Sequence, residues 1–229
     1  MKVEFVISAA TSRDFPDDGL YEIAMVGRSN VGKSSLINAL LRQRVARTSA
    51  APGKTRLANV YRVTRGASRP FYLVDLPGYG YARGGDESAR EFVTLTRAYF
   101  ASGPLAASEE RAPGTVEAST RTDIAALLLV DVRHPGLESD RAALQWLQRV
   151  AGRVAIVGTK VDKLARGQRI RALREHESVL EGSVLPVSAV TGEGLDELWK
   201  LIDRLANSRM PHPRSSRQAR PTAPRIRKK

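Results

Sequence analysis

Gly27-Arg28-Ser29-Asn30-Val31-Gly32-Lys33-Ser34, entered from the apolar run Tyr21–Val26, decides the fold of this chain. The octet fits G-x-x-x-x-G-K-[ST] without a gap and leads into Ser34–Leu41 (SSLINALL), which reads as a helix. Glycines let the backbone curl so that successive N–H groups aim at one point, and the positive end of the following helix strengthens the field there. Lys33 can then reach the β- and γ-phosphates of a nucleotide, and the Ser34 hydroxyl can ligate Mg²⁺. Strand, glycine loop and helix in this order imply an α/β fold that holds a phosphate chain.

Outward from that loop, short apolar strands alternate with amphipathic helices, the pattern of a mostly parallel sheet covered on both sides. Leu57–Thr64 and Pro70–Val74 flank Gly66-Ala67-Ser68 and read as a hairpin. Ile124–Val130, Val154–Gly158 and the shorter Ser183–Val187 are continuous apolar runs, as strands buried on both faces require. Helices are expected near 87–101, 137–150, 167–181 and 194–206, with Trp146 and Trp199 packing into the core. The expected architecture is a three-layer P-loop NTPase of the Ras-like G-domain type. Its sheet has six mostly parallel strands with one antiparallel hairpin strand, and helices cover both faces. Residues 1–19 read as an N-terminal extension and 20–206 as the domain. Residues 102–122, rich in Ala, Ser, Thr, Gly and Pro without periodicity, read as a mobile insertion, and 207–229 as a disordered basic tail.

Two further motifs fall at strand ends. Asp75-Leu76-Pro77-Gly78 follows the Pro70–Val74 run, where a carboxylate can hold Mg²⁺ through water and the Gly78 N–H can meet the γ-phosphate. The polar loop Ala51–Arg56 lies between the two phosphate motifs, and one threonine there is expected to contact Mg²⁺ only when the γ-phosphate is present. Thr55 is preferred over Thr48; the plainer alternative is that Thr55 begins the next strand. Thr159-Lys160-Val161-Asp162 comes directly after Val154–Gly158. The Asp162 carboxylate can accept from guanine N1–H and the exocyclic amine, whereas adenine would leave it desolvated and unpaired. The Lys160 stem can lie along the base, and Ser188-Ala189 can offer backbone contacts to the guanine oxygen. Many GTPases carry Asn where this chain has Thr159, which leaves one supporting contact open. Asp162 alone could simply be a helix N-cap, but its position after the fifth predicted strand shifts the balance to the base.

Composition narrows the function class. The chain has no cysteine, which excludes disulfides and thiolate-bound zinc or iron–sulfur centres. The longest apolar stretch, Ile124–Val130, is far short of the ~20 residues that span a bilayer, and the acidic start does not suit a signal peptide. A cytoplasmic monomer without membrane insertion is expected. The net charge is +13, of which residues 208–229 supply +8 without one acidic residue, leaving +5 for residues 1–207. Such a tail can neutralise nucleic-acid phosphates and release counterions, so salt-sensitive RNA binding is expected. Arg166, Arg169, Arg171 and Arg174 could extend the basic surface, though solvated helix charges are the commoner origin of such a run.

In this order, GRSNVGKSSLIN, APGKT, DLPGYGYA, DVRHP and TKVDKL resemble the EngB/YsxC/YihA family of ribosome-biogenesis GTP-binding proteins, over about residues 3–206. Asp75–Ala82 and Asp131–Pro135 are the most specific parts of the resemblance, which does not extend to the insertion or the tail. It implies a slow GTPase that assists large-subunit assembly on ribosomal RNA, with a link to cell division and septation. It also implies Mg²⁺ ligands Ser34 and Thr55, and a nucleotide surrounded by Gly27–Ser34, Gly53, Lys54, Thr55, Arg56, Leu57, Asp75–Gly78, Thr159–Asp162 and Val187–Ala189. Lys33, Thr55 and Gly78 are the expected catalytic positions. Tyr79 stands where many GTPases place a water-orienting Gln, so slow turnover is expected. Asn30 matches the asparagine with which related GTPases hold K⁺ against the phosphates; the alternative is that it only shapes the loop. A P-loop small-molecule kinase, or a GTPase of tRNA modification, is the competing reading.

Overall fold

The computed structural model describes residues 1–46, 57–79, 94–101 and 121–207. Thr48, Thr55 and their neighbours in 47–56, the expected helix start at 87–93, residues 102–120 of the expected insertion, and the tail 208–229 lie outside the described residues.

Seven strands form one sheet in the order β1-β3-β4-β2-β5-β6-β7. They are β1 (Lys2–Ala9), β2 (Tyr21–Gly27), β3 (Ala58–Thr64), β4 (Phe71–Asp75), β5 (Arg121–Asp131), β6 (Ala151–Thr159) and β7 (Val184–Pro186). The five strands from β4 to β7 run parallel, while β3 pairs antiparallel with both β4 and β1. The expected hairpin is present, closed by the Ser68 N–H donating to the Arg65 carbonyl at 3.0 Å.

The expected class holds, but the sheet has seven strands rather than six. Within the segment read as an extension, Val3, Phe5 and Ile7 pair with Val63, Tyr61 and Val60. The register slips between Phe5 and Ile7, and Phe5 remains 58% exposed on this edge strand. One-sided burial and the bulge together blur the alternation that marks a strand.

Side chains of β2 alternate between the two cores, as the period of 2 demands. Ala24 and Val26 join Val74, Leu128, Val130, Tyr99, Phe100, Leu144 and Leu147 on one face. That face is covered by α2 (described at 94–101) and α3 (Glu138–Val150). Ile23 and Met25 point the other way, against Leu36, Ile37 and Leu40 of α1 (Lys33–Leu41) and Leu198, Trp199 and Ile202 of α5 (Leu195–Asn207). A further helix, α4 (Arg166–Leu180), connects β6 to β7. Both tryptophans pack as expected: Trp199 is buried beneath the Arg65 guanidinium, 4.2 Å from the ring centroid, and half-buried Trp146 meets Phe100 edge-on at 5.2 Å. The loops that follow β2, β4, β5, β6 and β7 therefore emerge along one edge, the carboxyl end of the parallel strands, where open α/β sheets bind ligands.

Candidate functional site

The phosphate loop turns through two left-handed positions, Asn30 at φ 62° and Gly32 at φ 104°. The second is costly for any side chain, which accounts for glycine there. Gly32 caps α1 without any side-chain cap, so the first-turn N–H groups of that helix face the loop's interior. Lys33 and Asp75 are both buried and form an ion pair. The β2–β4 register places Asp75 opposite Met25, so the lysine and the carboxylate meet between two strand ends. Ser34 is half-buried on the first turn of α1.

Beyond β4, Leu76 and Pro77 are buried, and the chain folds back onto the phosphate loop. Tyr79 N–H donates to the Gly27 carbonyl at 3.2 Å, and Ser29 N–H donates to the Tyr79 carbonyl at 2.9 Å. Gly78 lies so close that an added Cβ would stand 3.0 Å from the Ser29 backbone, which only glycine avoids. The Tyr79 hydroxyl donates to Asp140 Oδ1 at 2.9 Å, and burial followed by the Asp140 charge pushes its phenol far above the usual range. Burial likewise raises the Asp140 carboxyl. Tyr79 thus anchors its segment to α3.

At the other end of the edge, Thr159 is buried and its hydroxyl donates to the Val31 carbonyl at 2.7 Å. Thr159 thereby ties the end of β6 to the phosphate loop. Lys160, left-handed at φ 63°, donates through Nζ to the Asn30 carbonyl at 2.6 Å and to Asp131 Oδ2 at 2.8 Å. Val161 N–H donates to the Val187 carbonyl at 3.4 Å, tying this loop to the one after β7. Asp162 Oδ1 accepts from the Ser188 hydroxyl at 2.7 Å, which is the main reason its carboxyl sits below the usual value. Ser188 Oγ also accepts from Val190 and Thr191 N–H, at 3.2 and 3.1 Å. Its side chain, and not only its backbone, organises the loop. Ala189 is half-buried beside it.

The structure so brings Gly27–Ser34, Asp75–Gly78, Thr159–Asp162 and Val187–Ala189 to one sheet edge. Leu57 begins the approach to β3 and is 39% exposed. Gly53, Lys54, Thr55 and Arg56 are outside the described residues. Asp140, which holds Tyr79, has no motif in the sequence to mark it, and residue type alone gives Asp131 no role.

With an uncapped helix end behind a left-handed glycine, a buried lysine against the carboxylate that ends β4, and the Ser188-held Asp162 after β6 all on one sheet edge, the chain has the site of a P-loop GTPase. A family model described as 50S ribosome-binding GTPase matches residues 22–160. The chain is similar to a probable GTP-binding protein EngB of Oceanobacillus iheyensis, 37% identical over 88% of this chain and 95% of the relative. It is similar to another from a Thermotoga strain, 39% identical over 89% and 95% of the two chains. Among solved structures, Aquifex aeolicus Era bound to GDP and AlF4⁻ has the same fold, with a TM-score of 0.65 over 83% of this chain and 58% of that one at 22% identity. The chain belongs to the EngB family of GTP-binding proteins.

Proposed function

We propose that this GTPase is a nucleotide-controlled factor in assembly of the large ribosomal subunit, acting as a cytoplasmic monomer, with the family's link to cell division and septation. The match to the 50S ribosome-binding family across the nucleotide-binding core carries this reading, and the charge of +13 supports it. GTP seats its phosphates in Gly27–Ser34 with Lys33 at the β- and γ-oxygens, and its base between Lys160 and Asp162. Ser34 on the first turn of α1 and Asp75 at the end of β4 fit Mg²⁺, the first as a direct ligand and the second through water, and Thr55 would be a further ligand. Bound there, the ion would supply positive charge to the phosphate oxygens. Thr55 would contact the ion only when the γ-phosphate is present, and the Gly78 N–H would meet that phosphate.

Hydrolysis is slow on this reading because the Tyr79 hydroxyl is spent on Asp140, leaving no side chain at that position to orient water. A partner, or K⁺ held at Asn30, supplies the missing help. Turnover compared in K⁺ and Na⁺ at equal ionic strength should be at least several-fold faster in K⁺; equal rates remove Asn30 from catalysis.

The decisive experiment is co-sedimentation with isolated ribosomal subunits in GDP or a non-hydrolysable GTP analogue. Retention on the large subunit with the analogue and release with GDP is expected; indifference to nucleotide would end the assembly role. Removing residues 208–229 should weaken retention and flatten its salt dependence, since each phosphate contact contributes about −0.7 to −0.9 to the logarithmic slope. An unchanged slope would take the tail out of the interaction.

A further inference from the structure

We infer that Asp131 is a positioning residue for guanine-nucleotide binding, holding the Lys160 ammonium against the phosphate loop before any nucleotide arrives. Asp131 ends β5, and its register partner on β6 is Thr159, the residue before Lys160. The carboxylate is 4% exposed and makes contacts through both oxygens. Oδ1 accepts from the Arg133 backbone N–H at 3.1 Å and from Arg133 Nε at 2.9 Å. Oδ2 accepts from Arg133 Nη2 at 2.7 Å and from Lys160 Nζ at 2.8 Å. Burial opposes charge on this carboxyl, but the hydrogen bonds from Arg133 and Lys160 outweigh it and hold the group far below the usual range.

The arrangement is more than an ion pair. The planar Arg133 fork engages both oxygens at once, so the carboxylate cannot rotate about its own axis. One lone-pair direction remains, and Lys160 occupies it. Lysine carries a long stem with rotamer freedom that must be lost when it serves as a platform. Here that freedom is removed in advance: Nζ is clamped between a fixed carboxylate on β5 and the Asn30 carbonyl of the phosphate loop, 2.6 Å away. His176 of α4, buried and lowered in pKa mainly by desolvation, places Nε2 3.3 Å from the Asp131 carbonyl and so fixes the backbone of the same residue. Arg133, whose side chain is 39% exposed, also lies within electrostatic range of Asp162.

This inference rests on the base site proposed above, so the two are tested apart. Displacement of a fluescent-labelled guanine nucleotide by GDP and by ADP from the unmodified protein tests the base site. Equal displacement would sink that reading, whatever Asp131 does. The positioning role is read from a double-mutant cycle with Asp131→Asn and Lys160→Met, following GDP dissociation rate and affinity. An Asn keeps the shape but turns an amide N–H₂ toward one cation, releasing the clamp. Asp131→Asn should weaken GDP about tenfold, the cost of ordering one long side chain on binding. In the Lys160→Met background the same change should have less than about a twofold effect, because there is no ammonium left to position. Additive losses would overturn the inference, since they would make Asp131 a general structural residue. Arg133→Gln removes the fork that fixes the carboxylate while leaving the Asp131–Lys160 contact possible, so it should cost about threefold, and that loss should vanish in the Lys160→Met background; a loss that persists there would overturn the inference. Should Asp131→Asn fail to fold, Asp131→Glu shifts the carboxylate by one methylene and is read in the same cycle with the same criteria.

Discussion

Asp162→Asn should lower affinity for GDP by on the order of 10² to 10⁴-fold, since two charge-assisted hydrogen bonds of about 1.5–3 kcal/mol each are at stake. On the proposed function this carboxylate reads guanine, and its setting suits that task. It stands on the short 3-10 turn Val161–Lys163 immediately after β6, and its Oδ1 is fixed by Ser188 at 2.7 Å. Its lowered pKa keeps it ionised at neutral pH, so it presents acceptors only. Guanine offers two donors along one edge. Adenine offers an acceptor and a C–H there, and would bury the charge unsatisfied. An Asn in the same place keeps one acceptor and gains a donor, which clashes with guanine but suits xanthine, whose C2 carbonyl replaces the amine. Calorimetric titration of the variant with GDP, XDP and ADP should show XDP bound more tightly than GDP. Continued preference for GDP would mean that another group reads the base. Ser188→Ala should have a smaller effect of the same sign, roughly 1 kcal/mol, because it removes the orienting hydrogen bond and leaves the charge.

What could be read without coordinates was whatever is local in sequence. The phosphate loop declares itself within eight residues. The strands β2, β5 and β6 do so as apolar runs buried on both faces, and Asp75 and Asp162 by falling at strand ends. What escaped depends on residues far apart. β1 becomes a strand only by pairing Lys2–Ala9 with Ala58–Thr64, and its exposed face and bulge hide it. The Thr159 hydroxyl reaches a loop 128 positions earlier, a contact that T-K-V-D by itself does not reveal. Tyr79 was legible as the absence of a Gln, but its positive role is not, because its acceptor Asp140 lies 61 residues on and is defined only by the packing of α3. DVRHP could be recognised as a family mark, whereas the clamp on Lys160 emerges when β5 and β6 align in register.

Lys33→Met should destabilise the nucleotide-free protein by about 3–5 kcal/mol, besides abolishing nucleotide binding, because it leaves a buried carboxylate without its counter-charge. The side chains of Lys33 and Asp75 are 9% and 3% exposed, so water cannot take over. Adding Asp75→Asn should return most of that stability, since a neutral amide costs far less to bury than an orphaned charge. Urea unfolding of the two single variants and the double variant, all free of nucleotide, provides the check. If Lys33→Met alone is neutral, the buried pair is not holding the two strand ends together. Binding will not recover with stability. The double variant lacks both the amine for the phosphates and the strand-end carboxylate for the metal's water, so it should be well folded and unable to retain GDP. Separating the two properties shows why the pair is placed here. On the proposed function, the Lys33–Asp75 ion pair would be exchanged on nucleotide binding, the lysine turning to phosphate oxygens and the carboxylate to hydrated Mg²⁺. Asp75→Asn alone should therefore reduce the Mg²⁺ dependence of GDP affinity, because the group that gains most from the ion has gone.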